Sequence, residues 1–185
     1  SLERVRRRRN DIHFDVEVIG WQVYGDASGL SRAVLNLLDN AAKWSPPGGH
    51  VGVKLRQLDP SHAELVVSDH GPGIPPNERR LVFERFYRST TARALPGSGL
   101  GLAIVKQVVL KHGGLLRVED TVSGGQPPGA SFYVLLPGRP LPDSAYPTAD
   151  GETSADPAVP AGDNGANSRD SANVISVDSQ SARAR

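Results

Sequence analysis

Ile12, Phe14, Val16 and Val18 alternate with polar neighbours, which predicts a half-buried strand. Gly20 turns the chain, and Trp21 to Tyr24 is expected to pair back as a short second strand. The period then changes. Leu30, Ala33, Val34, Leu37, Leu38 and Ala41 recur at helical spacing. They predict a helix capped by Asp26 or Ser28, running to about Lys43 and stopped by Ser45-Pro46-Pro47-Gly48-Gly49. Two alternating strands follow, one carrying Val51, Val53 and Leu55, the other Ala63, Leu65 and Val67. A long region punctuated by glycine and proline, from about Asp69 to Ser98, holds one short helical piece around Asn77 to Phe86. A second helix starts near Gly99 and ends at His112-Gly113-Gly114, where the glycines supply the C-cap. Leu115 to Glu119 and Ala130 to Leu136 read as closing strands. Strand pairs separated by helices predict an α+β fold, a two-layer sandwich of one mixed sheet with helices packed on one face.

The ends of the chain differ in composition from this core. Ser1 to Asp11 carries five arginines (Arg4 and Arg6 to Arg9) and reads as a basic linker or the solvated end of a helix, with a nucleic-acid or lipid contact as the alternative. After Pro137, Pro, Ala, Gly, Ser and Asp dominate, so Arg139 to Arg185 is expected to be a disordered tail. Within it, Val174-Ile175-Ser176-Val177 is either a docking peptide or a chance apolar run. This leaves one domain, residues 12–138, in a chain of 185 residues. A formal net charge of +1 gives no polyelectrolyte reason for a nucleic-acid partner. The absence of cysteine excludes disulfides, thiolate metal sites and cysteine nucleophiles. No apolar run approaches the roughly 18 residues of a membrane span. With no methionine either, Ser1 reads as a boundary inside a longer protein.

Three clusters carry candidate chemistry. Asn36, Asn40 and Lys43 share one face of the first long helix, at i, i+4 and i+7, off its apolar stripe. Two carboxamides and an ammonium on one ridge suit Mg²⁺ with phosphates, since this hard ion takes oxygen ligands and keeps several waters; an ordinary polar face has the same spacing. Asp69-His70-Gly71-Pro72-Gly73-Ile74-Pro75 directly follows a strand, where a carboxylate can accept from an exocyclic amine such as the adenine N6 and glycines let backbone approach a base. The same residues also describe a plain turn. Gly97-Ser98-Gly99-Leu100-Gly101-Leu102 opens a helix, whose free N–H groups make a phosphate site. It is not a dinucleotide fingerprint, because no strand directly precedes it. Between the last two clusters, Phe83-Glu84-Arg85-Phe86-Tyr87-Arg88 and Arg93 lie in a loop that reads as a mobile lid over about residues 74–97.

In this order and spacing the clusters resemble the N, G1, F and G2 boxes of the histidine kinase catalytic domain. That domain belongs to the wider family, with the Bergerat or GHKL fold, shared with DNA gyrase, heat-shock protein 90 and the mismatch-repair ATPase MutL. The N box is Asn36-Leu-Leu-Asp39-Asn40-Ala-Ala-Lys43-Trp44, and the resemblance covers about Ile12 to Gly138. It implies that Asn40, with Asn36 beside it, holds Mg²⁺ on the phosphates of ATP and that Lys43 touches a phosphate. Asp69 would bind the adenine amine, with Gly71, Gly73 and Ile74 lining the base pocket. Arg88 and Arg93 would reach the terminal phosphate from the lid, and Ser98, Gly99, Leu100, Gly101 and Leu102 would close over the phosphates. Trp44 stands where the family usually has Tyr or Phe and is expected to pack beside the base.

Position 36 bears on the reaction. ATPases and serine kinases that resemble this fold carry a glutamate there as general base, whereas the amide of Asn36 takes no proton. A histidine acceptor needs less help, because neutral imidazole is already a nucleophile at pH 7. None of His13, His50, His62, His70 and His112 is followed by the acidic residue and downstream proline of a phosphoacceptor box. The resemblance therefore implies a catalytic domain, monomeric in isolation, whose partners are its own dimerisation and histidine phosphotransfer domain and a cognate response regulator. It would form the cytoplasmic part of an inner-membrane sensor. An ATPase or serine kinase of the same family, or a non-catalytic nucleotide-sensing module, remain the alternatives.

Overall fold

The computed structural model describes residues 2–89 and 97–141. A five-stranded mixed sheet has the order β1-β3-β4-β6-β5, formed by β1 (His13–Val18), β3 (His50–Asp59), β4 (His62–Ser68), β5 (Leu115–Glu119) and β6 (Ser131–Pro137). β1 and β3 run parallel, joined by a crossover through α2 (Ala27–Trp44); the other pairs are antiparallel. The alternation read in the sequence fixes which face is buried. Val53, Val67, Phe132 and Val118 form one row across four strands, all buried. Leu30, Ala33, Leu37, Leu38 and Ala41 of α2 and Val105 and Val109 of α3 (Gly101–Lys111) complete this core. Helices on one face of a mixed sheet make the expected two-layer sandwich.

The N-cap of α2 follows from local chemistry. Asp26 is the N-cap: its side chain accepts from the Gly29 N–H at 2.9 Å, while Ser28 donates to it at 2.8 Å. His112, the C-cap residue of α3, accepts the Asp26 N–H on Nε2 at 2.9 Å and bonds the Val108 carbonyl through Nδ1 at 2.7 Å. The end of α3 is thereby tied to the start of α2.

Four expectations change. Trp21–Gln22 forms a short strand, β2, which pairs not with β1 but antiparallel with Arg139–Pro140, β7. Trp21, Gln22 and Val23 are all buried, so the segment lacks the in-and-out alternation of a hairpin arm and is covered on both sides. Folded structure consequently extends past residue 138. Arg139 donates to Gln22 at 2.8 Å, and Leu141 N–H bonds the Gly20 carbonyl at 3.1 Å. The rest of the expected tail, including 174–177, lies outside the described residues. The arginine-rich start, read as a linker or a solvated helix end, is a helix, α1 (Leu2–Arg8), but it is not solvated throughout: it packs on α2 through Val5, which is 1% exposed. The helical piece around 77–86 contracts to turns and a 3₁₀ turn, Leu81–Phe83.

That last segment is also more firmly held than a lid with few apolar anchors would be. Val82 and Phe83 are buried, and the Phe83 ring meets Phe132 edge-on at 6.2 Å. Arg79 pairs with Asp120 at 2.7 Å. Arg93 and the remainder of 90–96 lie outside the described residues.

Candidate nucleotide site

A cavity of about 620 Å³ opens between α2, the segment after β4 and the start of α3. The α2 wall is the polar face beside its apolar stripe: Asn36, Asp39, Asn40, Lys43 and Trp44. Asn36 donates its side-chain N–H to the Gly101 carbonyl at 3.2 Å, so its carbonyl oxygen is the atom left to accept or ligate. The Asn40 carbonyl oxygen accepts the Trp44 indole N–H at 3.2 Å and retains a second lone pair. The Lys43 ammonium stands 5.2 Å from the centre of the Trp44 ring. Burial, then the nearby charge of Arg88, lowers the Lys43 pKa from its ordinary value.

Asp69 directly follows β4 and lines the cavity, 1% exposed. Its Oδ1 accepts the Gly71 N–H at 2.9 Å and the Ala130 N–H at 3.2 Å. Its main chain pairs with Ala130, and Thr121 donates to its carbonyl at 2.7 Å. The carboxylate is thus held rigidly, while its Oδ2 is buried and accepts no hydrogen bond. A buried unpaired carboxylate oxygen is costly unless something supplies a donor. Burial raises the Asp69 pKa to about 6, against the opposing pull of the Gly71 and Ala130 N–H groups.

The glycines divide into two kinds. A Cβ on Gly71 would lie 2.5 Å from the Trp44 carbonyl oxygen, so this glycine is required by the protein's own packing rather than by a base. Gly99 has φ +69°, and a Cβ there would lie 2.8–2.9 Å from the backbone of Phe86 and Tyr87. Its carbonyl accepts the Phe86 N–H at 3.0 Å, holding Phe86 at φ +63°, a conformation rare outside glycine. Gly101 differs: its nearest neighbours to a Cβ, in Asn36, stand 3.8 Å away. Packing leaves room there, at the first residue of α3, where unpaired N–H groups gather.

The structure therefore gathers the sequence-read clusters around one cavity, with Gly73, Ile74, Arg88, Ser98 and Leu102 also on its walls. Gly71 and Leu100, expected at the nucleotide, do not line the cavity: Gly71 packs against the Trp44 backbone, and Leu100 is the N-cap residue of α3. Arg8, Ser89 and Ala130 also line the cavity without any sequence expectation, and Asp39 and Tyr87 line it although the motifs that contain them gave them no role. Asp39 lies three residues from Asn36 on the same helical face. Arg8 and Ala130 arrive from distant elements and leave no local signal. Among the described residues no group of three or more His, Cys, Asp or Glu is placed to hold a metal ion, and no helix is long and apolar enough to cross a membrane.

This fold, with a buried unpaired carboxylate oxygen and a helix N-terminus on the walls of one cavity, defines a nucleotide-binding domain of the GHKL type. The chain belongs to the histidine kinase-, DNA gyrase B-, and HSP90-like ATPase family, whose profile matches residues 25–140. Within it, fold and relatives are those of histidine kinase catalytic domains. The chain is 80% identical, over its full length, to the signal transduction histidine-protein kinase/phosphatase MprB of Mycobacterium avium, of which it spans 37%. A solved structure of mycobacterial sensor histidine kinase MprB superposes with TM-score 0.74 at 71% identity, covering 76% of this chain and 92% of that one. Full-length ShkA in complex with AMPPNP superposes with TM-score 0.63 at 28% identity, covering 76% of this chain and 29% of ShkA.

Proposed function

We propose that the chain binds Mg-ATP and passes the γ-phosphoryl group to a histidine on the dimerisation domain of the same kinase. The observation that carries this is the buried, unpaired Oδ2 of Asp69, an acceptor placed for the adenine amine, in a cavity whose other walls carry Asn36, Asn40 and Lys43. The structural relative ShkA, solved with AMPPNP, supports an adenine nucleotide as occupant.

The donor set fits magnesium. Asn36 and Asn40 offer neutral carboxamide oxygens, which suits an ion held largely by water and nucleotide phosphates. The bound ion would neutralise phosphate charge. The chain's own residues position the rest. Asp69 and Ile74 hold the base, Trp44 packs beside it, and Lys43 meets the phosphates. Arg88, with Arg93, would meet the γ-phosphate from the lid, and Ser98 to Leu102 would enclose it through main-chain N–H groups. In the transfer, a neutral imidazole nitrogen forms the bond to the γ-phosphorus. The bond to the β,γ-bridging oxygen breaks, and its electron pair leaves on ADP. The imidazole then sheds its N–H proton. Asn36 takes no proton, so water is not activated and hydrolysis stays slow.

The relatives' role as signal transduction kinases supports a response regulator as the next partner and a cytoplasmic position within a membrane-bound sensor. The test mixes this chain, labelled ATP and a separately made dimerisation domain carrying the acceptor histidine. Acid-labile, base-stable label is expected on the acceptor and not on this chain. Label on this chain alone, or rapid ATP turnover without acceptor, would overturn the reading.

A further inference from the structure

We infer that Arg8, in the helix that precedes the catalytic fold, is a phosphate-binding residue of the nucleotide site, held ready by Asp39. The inference rests on the proposed function, since it concerns the phosphate tail of the nucleotide.

Arg8 lies at the end of α1 and lines the cavity, whereas Arg4, Arg6 and Arg7 of the same helix do not. Its place is set by two anchors. Val5 is buried against α2, and Arg9 donates to the Ala42 carbonyl at 2.6 Å while gripping Asp11 through two bonds of 2.8 and 2.9 Å. Arg9 is thus committed to holding α1 down. Arg8 has a looser partner: its Nη1 stands 3.5 Å from the Asp39 Oδ2, with the two side chains 56% and 35% exposed. A long, solvated ion pair of this kind contributes little. It is easily exchanged for a doubly charged phosphate, which a guanidinium grips through two parallel N–H groups.

Asp39 explains why an arginine stands there. It lies on the α2 face between Asn36 and Lys43, and with Asp69 it is one of two carboxylates on the cavity wall. Asp69 faces the base end. Asp39, beside the residues that meet the phosphates, would repel them without a cation. Arg8 neutralises it in the empty site and turns to the phosphates in the filled one.

Calorimetric titrations with Mg-ADP, a Mg-bound non-hydrolysable ATP analogue and adenosine test this. Arg8→Ala is expected to weaken both charged ligands about fivefold and leave adenosine unchanged, with Arg8→Lys recovering part of the loss. In an Asp39→Ala background, Arg8→Ala should still weaken the charged ligands. If the effect disappears there, Arg8 only neutralises Asp39 and the inference fails. Equal loss for adenosine would mean a structural role and would also overturn it. Nucleotide binding by the unsubstituted chain, matched by Arg8→Ala, overturns this inference alone; no binding by the unsubstituted chain overturns the proposed function with it.

Discussion

The Asn36 side chain donates to the Gly101 carbonyl at 3.2 Å, joining two clusters that lie 65 residues apart. One bond ties the helix that carries the two carboxamides to the helix whose first residue borders the same cavity.

Asn36→Ala removes that bond. The expected cost is about 1 kcal/mol of stability, because the bond is only partly buried. Mg-ADP binding should fall further than adenosine binding, since adenosine uses only the Asp69 end. Thermal unfolding and calorimetric titration read the two effects separately.

Asp69 predicts a pH dependence in two observables. Its folded-state pKa, about 6, is raised above the ordinary carboxylate value. Its contribution to stability is therefore full below about pH 4 and is lost as pH rises through about 6, an effect of about 3 kcal/mol. Asp69→Asn should flatten this part of the stability profile. Nucleotide binding runs the opposite way. With Oδ1 already accepting two N–H groups, the acquired proton sits on Oδ2 and faces the adenine amine donor to donor. Affinity should drop about tenfold between pH 7 and pH 5, and Asp69→Asn, which presents an NH₂ at that point, should bind weakly at every pH. A titration series across pH 5–7.5 checks both.

Gly99 and Gly101 should respond differently to alanine. Gly99→Ala forces a Cβ against backbone at a positive φ and is expected to cost about 2 kcal/mol or more. Gly101→Ala has room and should leave the melting temperature of the ligand-free protein unchanged or slightly higher. It should nonetheless weaken nucleotide binding, because the added methyl group stands where the phosphates approach the N-terminus of α3. Equal effects on stability would remove the distinction.

Phe83 and Arg88 separate the anchored part of the lid region from the part that lines the cavity. Phe83→Ala removes a buried ring packed on Phe132 and should cost about 3–5 kcal/mol. Arg88→Ala should leave the fold intact and slow phosphoryl transfer more than it weakens ADP binding, since ADP lacks the γ-phosphate. Denaturation midpoints and single-turnover transfer rates distinguish the two.

The chain's local periodicities were readable because they are short-range. Alternation in 51–55 and 63–67 marked both strands and their buried faces, and the 3.6-residue stripe from Leu30 to Ala41 marked α2 and, by exclusion, the face bearing Asn36, Asn40 and Lys43. At Trp21–Gln22 the same reading found the strand but not its partner, because Arg139–Pro140 is more than a hundred residues away. For α1 it left helix and linker open, because a single buried Val5 among arginines leaves no stripe.

By itself the sequence determined the five strands of the main sheet, the two long helices, the motif residues and the class of chemistry, because side-chain identity and spacing carry that information locally. Only the tertiary structure decided that Asp69 is held by Gly71 and Ala130 with one oxygen unpaired. It also decided that Gly71 and Gly99 serve packing while Gly101 has open space beside it, and that Arg8 reaches the cavity from outside the motifs. These depend on which distant segments are brought within bonding distance, and side-chain burial and unpaired polar atoms exist only once the chain has closed around them.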